Sequence, residues 1–108
     1  MDIKATTPAL TQFVQSLQQK LTIDEVIIFG SYLEGMTHEE SDIDVLVISN
    51  DFAHLDEDNR LDILDAAAEG IIPEVHPWGF TPDELKKAHR LTTLGYAREK
   101  GVRFQEVQ

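Results

Sequence analysis

The sequence predicts an α/β (α+β) domain, a small mixed β-sheet with helices packed on it. Three observations predict this. Glu25–Phe29 and Ile43–Ile48 are short apolar runs rich in β-branched residues, the signature of buried strands. Leu10, Phe13, Val14, Leu17 and Leu21 recur at steps of three and four, which makes one face of an amphipathic helix able to cover a sheet. Thr81-Pro82-Asp83-Glu84 has the form of a capping box with proline at the first helical position.

Taken in order, Pro8 suits the first turn of the opening helix. The strand Glu25–Phe29 ends at Gly30, and the polar stretch from Ser31 to Ser41, containing Gly35, predicts a loop or short helix. Ile43–Ile48 is the strongest strand of the sequence, stopped by Ser49-Asn50-Asp51. A second helix is expected over Leu55–Glu69, with Leu61, Leu64, Ala67 and Ala68 on one side and Gly70 just beyond as a glycine cap. Ile71–His76 is expected as a third strand, which Pro73 pushes toward a sheet edge or a bulge. A last helix is expected from the capping box to about Lys100, closed by Gly101, with Val102-Arg103-Phe104 as an extended tail. Residues 1–108 read as one domain, without an internal repeat or a linker.

Composition excludes several classes. The formal net charge is -11, from 20 acidic and 9 basic side chains, and no stretch gathers Lys or Arg into a stripe that could follow a phosphate backbone, so duplex nucleic acid is not an expected ligand. The chain has no Cys, which removes disulfides and thiolate metal sites. Met1–Pro8 lacks the apolar core of a signal peptide, and the longest uncharged apolar runs, Val45–Ile48 among them, are far too short to span a bilayer. A cytoplasmic protein is the expectation. Self-association is left open, as is whether the acidity reflects a salty habitat or a basic partner.

The chemistry is expected around the second strand. Alternate strand residues share a face, so Asp42 and Asp44 project side by side, roughly 7 Å apart along the backbone. Two such carboxylates repel each other unless a cation lies between them, and oxygen ligands without Cys or His suit a hard ion such as Mg2+ or Mn2+ that bridges to phosphates. Gly30, at the end of the preceding strand, lets a phosphate approach the backbone, and Ser31 adds a hydroxyl. Glu74, an acid in an otherwise apolar strand between Ile72 and Val75, is the candidate third carboxylate. An edge strand facing water is the alternative account of it.

Phe29-Gly30-Ser31, followed by Asp42-Ile43-Asp44-Val45-Leu46-Val47, resembles the signature of the minimal nucleotidyltransferases within the DNA polymerase beta superfamily. Gly35 and Ser41 also fit the small positions of that pattern. The resemblance covers residues 25–80 and, more loosely, the flanking helices. It implies a nucleotidyltransferase-like fold in which Gly30 and Ser31 bind phosphate, and Asp42, Asp44 and Glu74 bind Mg2+ or Mn2+ and serve catalysis. It implies that a nucleoside triphosphate, ATP above all, donates a nucleotidyl group to an acceptor hydroxyl. It also implies a separate helical HEPN-type partner protein, the pair forming a toxin and its antitoxin. Residues 32–41 depart from the pattern, since Glu34 stands where relatives often carry Arg, and Glu39 and Glu40 add further negative charge near the triphosphate. Two other readings compete. One is a catalytically inactive binding module of this fold that neutralises a partner by contact, and the other is a strand-end acid pair in an unrelated α/β domain.

Other polar residues carry less. His38, His54, His76 and His89 lack metal-ligand spacing, although His76 would share the strand face of Glu74. Asp56-Glu57-Asp58 reads as the charged start of a helix. Trp78 and Phe80 flank Gly79 and are expected to pack on the core, with adenine stacking the alternative for the aromatic pair. Lys86, Lys87, Arg90, Arg98, Lys100 and Arg103 make the last quarter the only basic region, read as a solvated helix face or a contact with an acidic partner or phosphates.

Overall fold

A computed structural model describes residues 7–29, 43–72 and 74–104. The first helix, α1 (Thr7–Gln18), buries Leu10, Phe13, Val14 and Leu17, the stripe expected from their spacing. Strands β1 (Glu25–Phe29) and β2 (Ile43–Ile48) take the expected bounds and pair antiparallel, with Phe29 opposite Asp44 and Glu25 opposite Ile48. Strand β3 (Val75–Phe80) pairs parallel to β2, and β4 (Val102–Arg103) pairs antiparallel to β1. The sheet is therefore mixed, in the order β3-β2-β1-β4.

The far end of the central hairpin is tied by short polar contacts. Buried Ser49 donates its hydroxyl to the carbonyl of Thr22 at 2.6 Å, and Asp51 Oδ2 accepts from the Thr22 amide at 2.8 Å. Asn50 donates its amide to Asp24 Oδ2 at 3.2 Å. A 3-10 turn over Asn50–His54 follows, placing Phe52 wholly in the core. Helix α2 (Glu57–Ala68) is capped by Asp56, whose carboxylate accepts from the Asn59 amide at 2.8 Å, so the acidic triplet is the start of a helix. Gly70 follows with φ of 78°, the left-handed geometry that favours glycine after a helix.

Two expected elements are corrected. The third strand lies at Val75–Phe80 rather than Ile71–His76. Pro77 is tolerated because β3 is an edge strand, where the missing N–H costs no ladder bond: the bonds to β2 run from the Glu74 carbonyl and the Phe80 carbonyl, so the odd-numbered residues face the free edge. The last helix divides into α3 (Pro82–Lys87) and α4 (Thr93–Lys100). The capping box of α3 forms as expected, but Ala88–Thr92 turns the chain. Thr92 caps α4 through its hydroxyl, which accepts from the Gly95 amide at 3.1 Å, and Arg98 binds the carbonyls of Leu85 and Ala88, each at 2.8 Å, holding the end of α3. Gly101 ends α4 with its amide on the Ala97 carbonyl.

The two sheet faces carry separate cores. Val26, Ile28, Ile43, Val45, Val47 and Val75 pack against α1, α2 and Phe52. Ile27, Phe29, Leu46 and Ile48 pack against Leu85, Phe80, Leu94 and Ala97 of the α3–α4 side. Arg60 joins the layers: its guanidinium donates to the Leu55 carbonyl at 3.1 Å, the Gly79 carbonyl at 3.2 Å and Glu84 Oε1 at 2.8 Å, and it lies 5.6 Å from the Phe52 ring centre. Burial pushes the Glu84 carboxyl up, but the Thr81 amide and Arg60 together outweigh it and hold Glu84 below its ordinary value of 4.5. A depressed folded value means that this contribution to stability is present above about pH 4.5 and is lost as pH falls through the lower folded value. Thermal melts from neutral to acid pH are expected to show Glu84→Gln less stable than wild type near neutrality and the gap closing below that point. A gap constant across the range would contradict the pairing.

Candidate functional site

Asp44 is the second residue of β2, half-buried, at the end of the sheet where the β1–β2 connection begins and ends. In register it lies between Phe29 of β1 and His76 of β3. Pleating puts Asp44, His76, Trp78 and Phe29 on the α3–α4 side of the sheet. The helices there cover the other end, and at this end His76 is exposed and Trp78 is 38% exposed. The Trp78 ring lies 5.6 Å from that of Phe29 and 6.5 Å from the His76 ring, which it meets edge-on.

Glu74 is exposed and precedes β3 by one residue, a correction to its expected place inside the strand. Its carbonyl accepts from the Ile43 amide at 2.8 Å, so its backbone stands against the start of β2, at the same end of the sheet as Asp44. Gly30, Ser31 and Asp42, with Glu34, Glu39, Glu40 and His38, lie outside the described residues. Phe29 and Ile43, to which Gly30 and Asp42 are peptide-bonded, are both at this end. An open groove of about 1090 Å3 is lined by Glu74, His76 and Trp78 at β3, by Asp65 and Glu69 at α2 and by Ile72.

Among the described residues, no group of three His, Asp or Glu side chains is arranged to hold a metal. Two of the expected ligands, Asp44 and Glu74, are described, and both offer the carboxylate oxygens that a hard divalent ion prefers. Some of the remaining polar residues have structural uses. His89 Nδ1 accepts from the Leu91 amide, Lys87 pairs with Asp83 and Arg103 with Glu25. No helix among the described residues is long and apolar enough to cross a membrane. Sequence reasoning missed Arg60, although one signal marks it: it is the only basic residue between Lys20 and Lys86.

A four-stranded mixed sheet with helices on both faces is an α+β architecture of the nucleotidyltransferase fold. Residues 10–99 match the model of the nucleotidyltransferase domain family, and the chain belongs to that family. It is 43% identical over 44 residues to a protein of Methanocaldococcus jannaschii named as a candidate protein adenylyltransferase, a match covering 39% of this chain and 44% of the relative. A second protein of that organism, named in the same way, is 43% identical over 51 residues, covering 45% of this chain and 35% of the relative. The chain thus spans less than half the length of these two relatives. Among solved structures, a candidate nucleotidyltransferase from Sulfolobus solfataricus superimposes with a TM-score of 0.64 at 20% identity, covering 78% of this chain and 74% of that one, a likeness of fold. A toxin-antitoxin structure with AMP-PNP superimposes with a TM-score of 0.52 at 25% identity, covering 73% of this chain and 59% of that one.

Proposed function

We propose that this nucleotidyltransferase domain moves AMP from ATP to a hydroxyl on a separate protein, in the cytoplasm, and that the acceptor is a helical HEPN-type toxin which the transfer silences. The observation that carries the reading is the position of Asp44, half-buried at the start of β2 between Phe29 and the edge strand, with Glu74 against the same strand start. The names of the two Methanocaldococcus relatives support a protein acceptor, and the toxin-antitoxin structure with AMP-PNP supports both the adenine nucleotide and a partner chain.

In this reading Gly30 and Ser31 hold the phosphates, and Asp42, Asp44 and Glu74 hold Mg2+ or Mn2+. The ion, when bound, offsets the negative charge that develops on the phosphates during transfer. Gly30 and Ser31 would keep the triphosphate in place while the acceptor oxygen attacks the α-phosphorus in line, and the bond from that phosphorus to the bridging oxygen breaks with pyrophosphate as the leaving group. A third carboxylate near the attacking hydroxyl can accept its proton. The acidic residues Glu34, Glu39 and Glu40 favour a second reading, an inactive module that acts by contact, because they oppose triphosphate binding.

Titration calorimetry of ATP, with and without Mg2+, separates the two. The wild type is expected to bind ATP only with the metal, and the Asp42→Asn, Asp44→Asn double variant is expected to lose that binding. Absence of ATP binding to the wild type under any metal condition would overturn the enzyme reading in favour of the contact module.

A further inference from the structure

We propose that Trp78 is the platform on which the nucleobase of the bound triphosphate stacks, an inference that rests on the nucleotidyltransferase reading above. Trp78 is the only tryptophan of the chain, and it stays 38% exposed on the face of the sheet that carries Asp44. Its ring is braced by two aromatic neighbours, Phe29 at 5.6 Å and His76 at 6.5 Å. Both neighbours are register partners of Asp44, and Phe29 is bonded directly to Gly30.

Trp78 pairs with Leu46, two residues beyond Asp44, so it stands roughly 7 Å further along the same face. A ribose can bridge that step between a phosphate held at the strand start and a base on the indole. The groove beside β3 is lined by Glu74, His76 and Trp78, and its volume of about 1090 Å3 leaves room for a nucleotide. Asp65 and Glu69 at α2 also line it, and their charge disfavours phosphates there and leaves it to the uncharged base. Stacking on an indole tolerates any base, so the contribution of Trp78 is to affinity and orientation more than to the choice of base.

The single tryptophan makes the test direct. Addition of Mg2+ with ATP is expected to quench the intrinsic emission, whereas Mg2+ with tripolyphosphate, which has no base, leaves it unchanged. In calorimetry Trp78→Leu is expected to weaken ATP binding about tenfold or more, Trp78→Phe by no more than about threefold, and neither to change tripolyphosphate binding. Circular dichroism melts check the fold of both variants, and the flat ring of Phe keeps the test valid if the Leu variant unfolds. Metal-dependent ATP binding without quenching, or with equal affinity in a folded Trp78→Leu, would overturn the stacking role and leave the enzyme reading standing. Failure of the wild type to bind either ATP or tripolyphosphate would overturn both.

Discussion

Asp44→Asn is expected to lower nucleotidyl transfer at least about a thousandfold while leaving the fold intact. The side chain is half-buried at the start of β2, and Asn has nearly the same volume, so the ladder to Phe29 and His76 and the packing behind it are kept. What changes is charge. A carboxylate proposed to hold a divalent ion becomes an amide, which binds such ions poorly, and the charge stabilisation supplied during transfer is lost. Asp42 and Asp44 repel each other when no cation separates them, so the variant is expected to melt within about 1 kcal/mol of wild type. Label incorporated into protein from ATP marked at its α-phosphate, followed beside a circular dichroism melt, checks both halves. Full incorporation by the variant would remove Asp44 from the site, and a collapsed melt would show that its role is structural.

The parts of the fold that were legible share one property: a single local signal that tertiary context did not contradict. β1 and β2 took their expected bounds because both are buried and their β-branched runs end at Gly30 and at Ser49. The capping box of α3 formed because its two hydrogen bonds are made within four residues. The third strand was expected over Ile71–His76 and not through Pro77 and Gly79, residue types that are rare inside strands. Only the sheet order shows that the proline lies on a free edge, and only the packing shows that the glycine sits against Phe52. The division between α3 and α4 contains neither Gly nor Pro at its turn, and is made by Thr92 and by Arg98 reaching back to α3. Around the candidate site, the place of Asp44 on β2 was legible from the apolar strand pattern. The neighbourhood of His76 and Trp78 was not, because it depends on the parallel register of β3 against β2. Arg60 escaped because its partners, Leu55, Gly79 and Glu84, come from different elements.

Phe52→Ala is expected to destabilise the domain by about 3–5 kcal/mol, the largest stability effect of any single change considered. Phe52 is fully buried, sits under Arg60 and fills the space between α2 and β3. Its ring explains Gly79: a Cβ at that position would lie 2.8 Å from Phe52 Cε2 and 3.0 Å from Leu64 Cδ1, closer than packed carbons allow. The two positions should therefore be coupled. Gly79→Ala alone is expected to cost about 1–3 kcal/mol, because the added methyl has nowhere to go in a core already at full density. In a Phe52→Leu background the smaller side chain leaves room for it, and the cost of Gly79→Ala should fall by about 1 kcal/mol or more. Chemical denaturation of the four proteins measures the difference. Strict additivity would show that Gly79 is required for another reason, such as the geometry that lets its carbonyl accept from Arg60. Coupling would mean that the ring of Phe52 sets how closely β3 can lie against α2, and through β3 where His76 and Trp78 stand relative to Asp44.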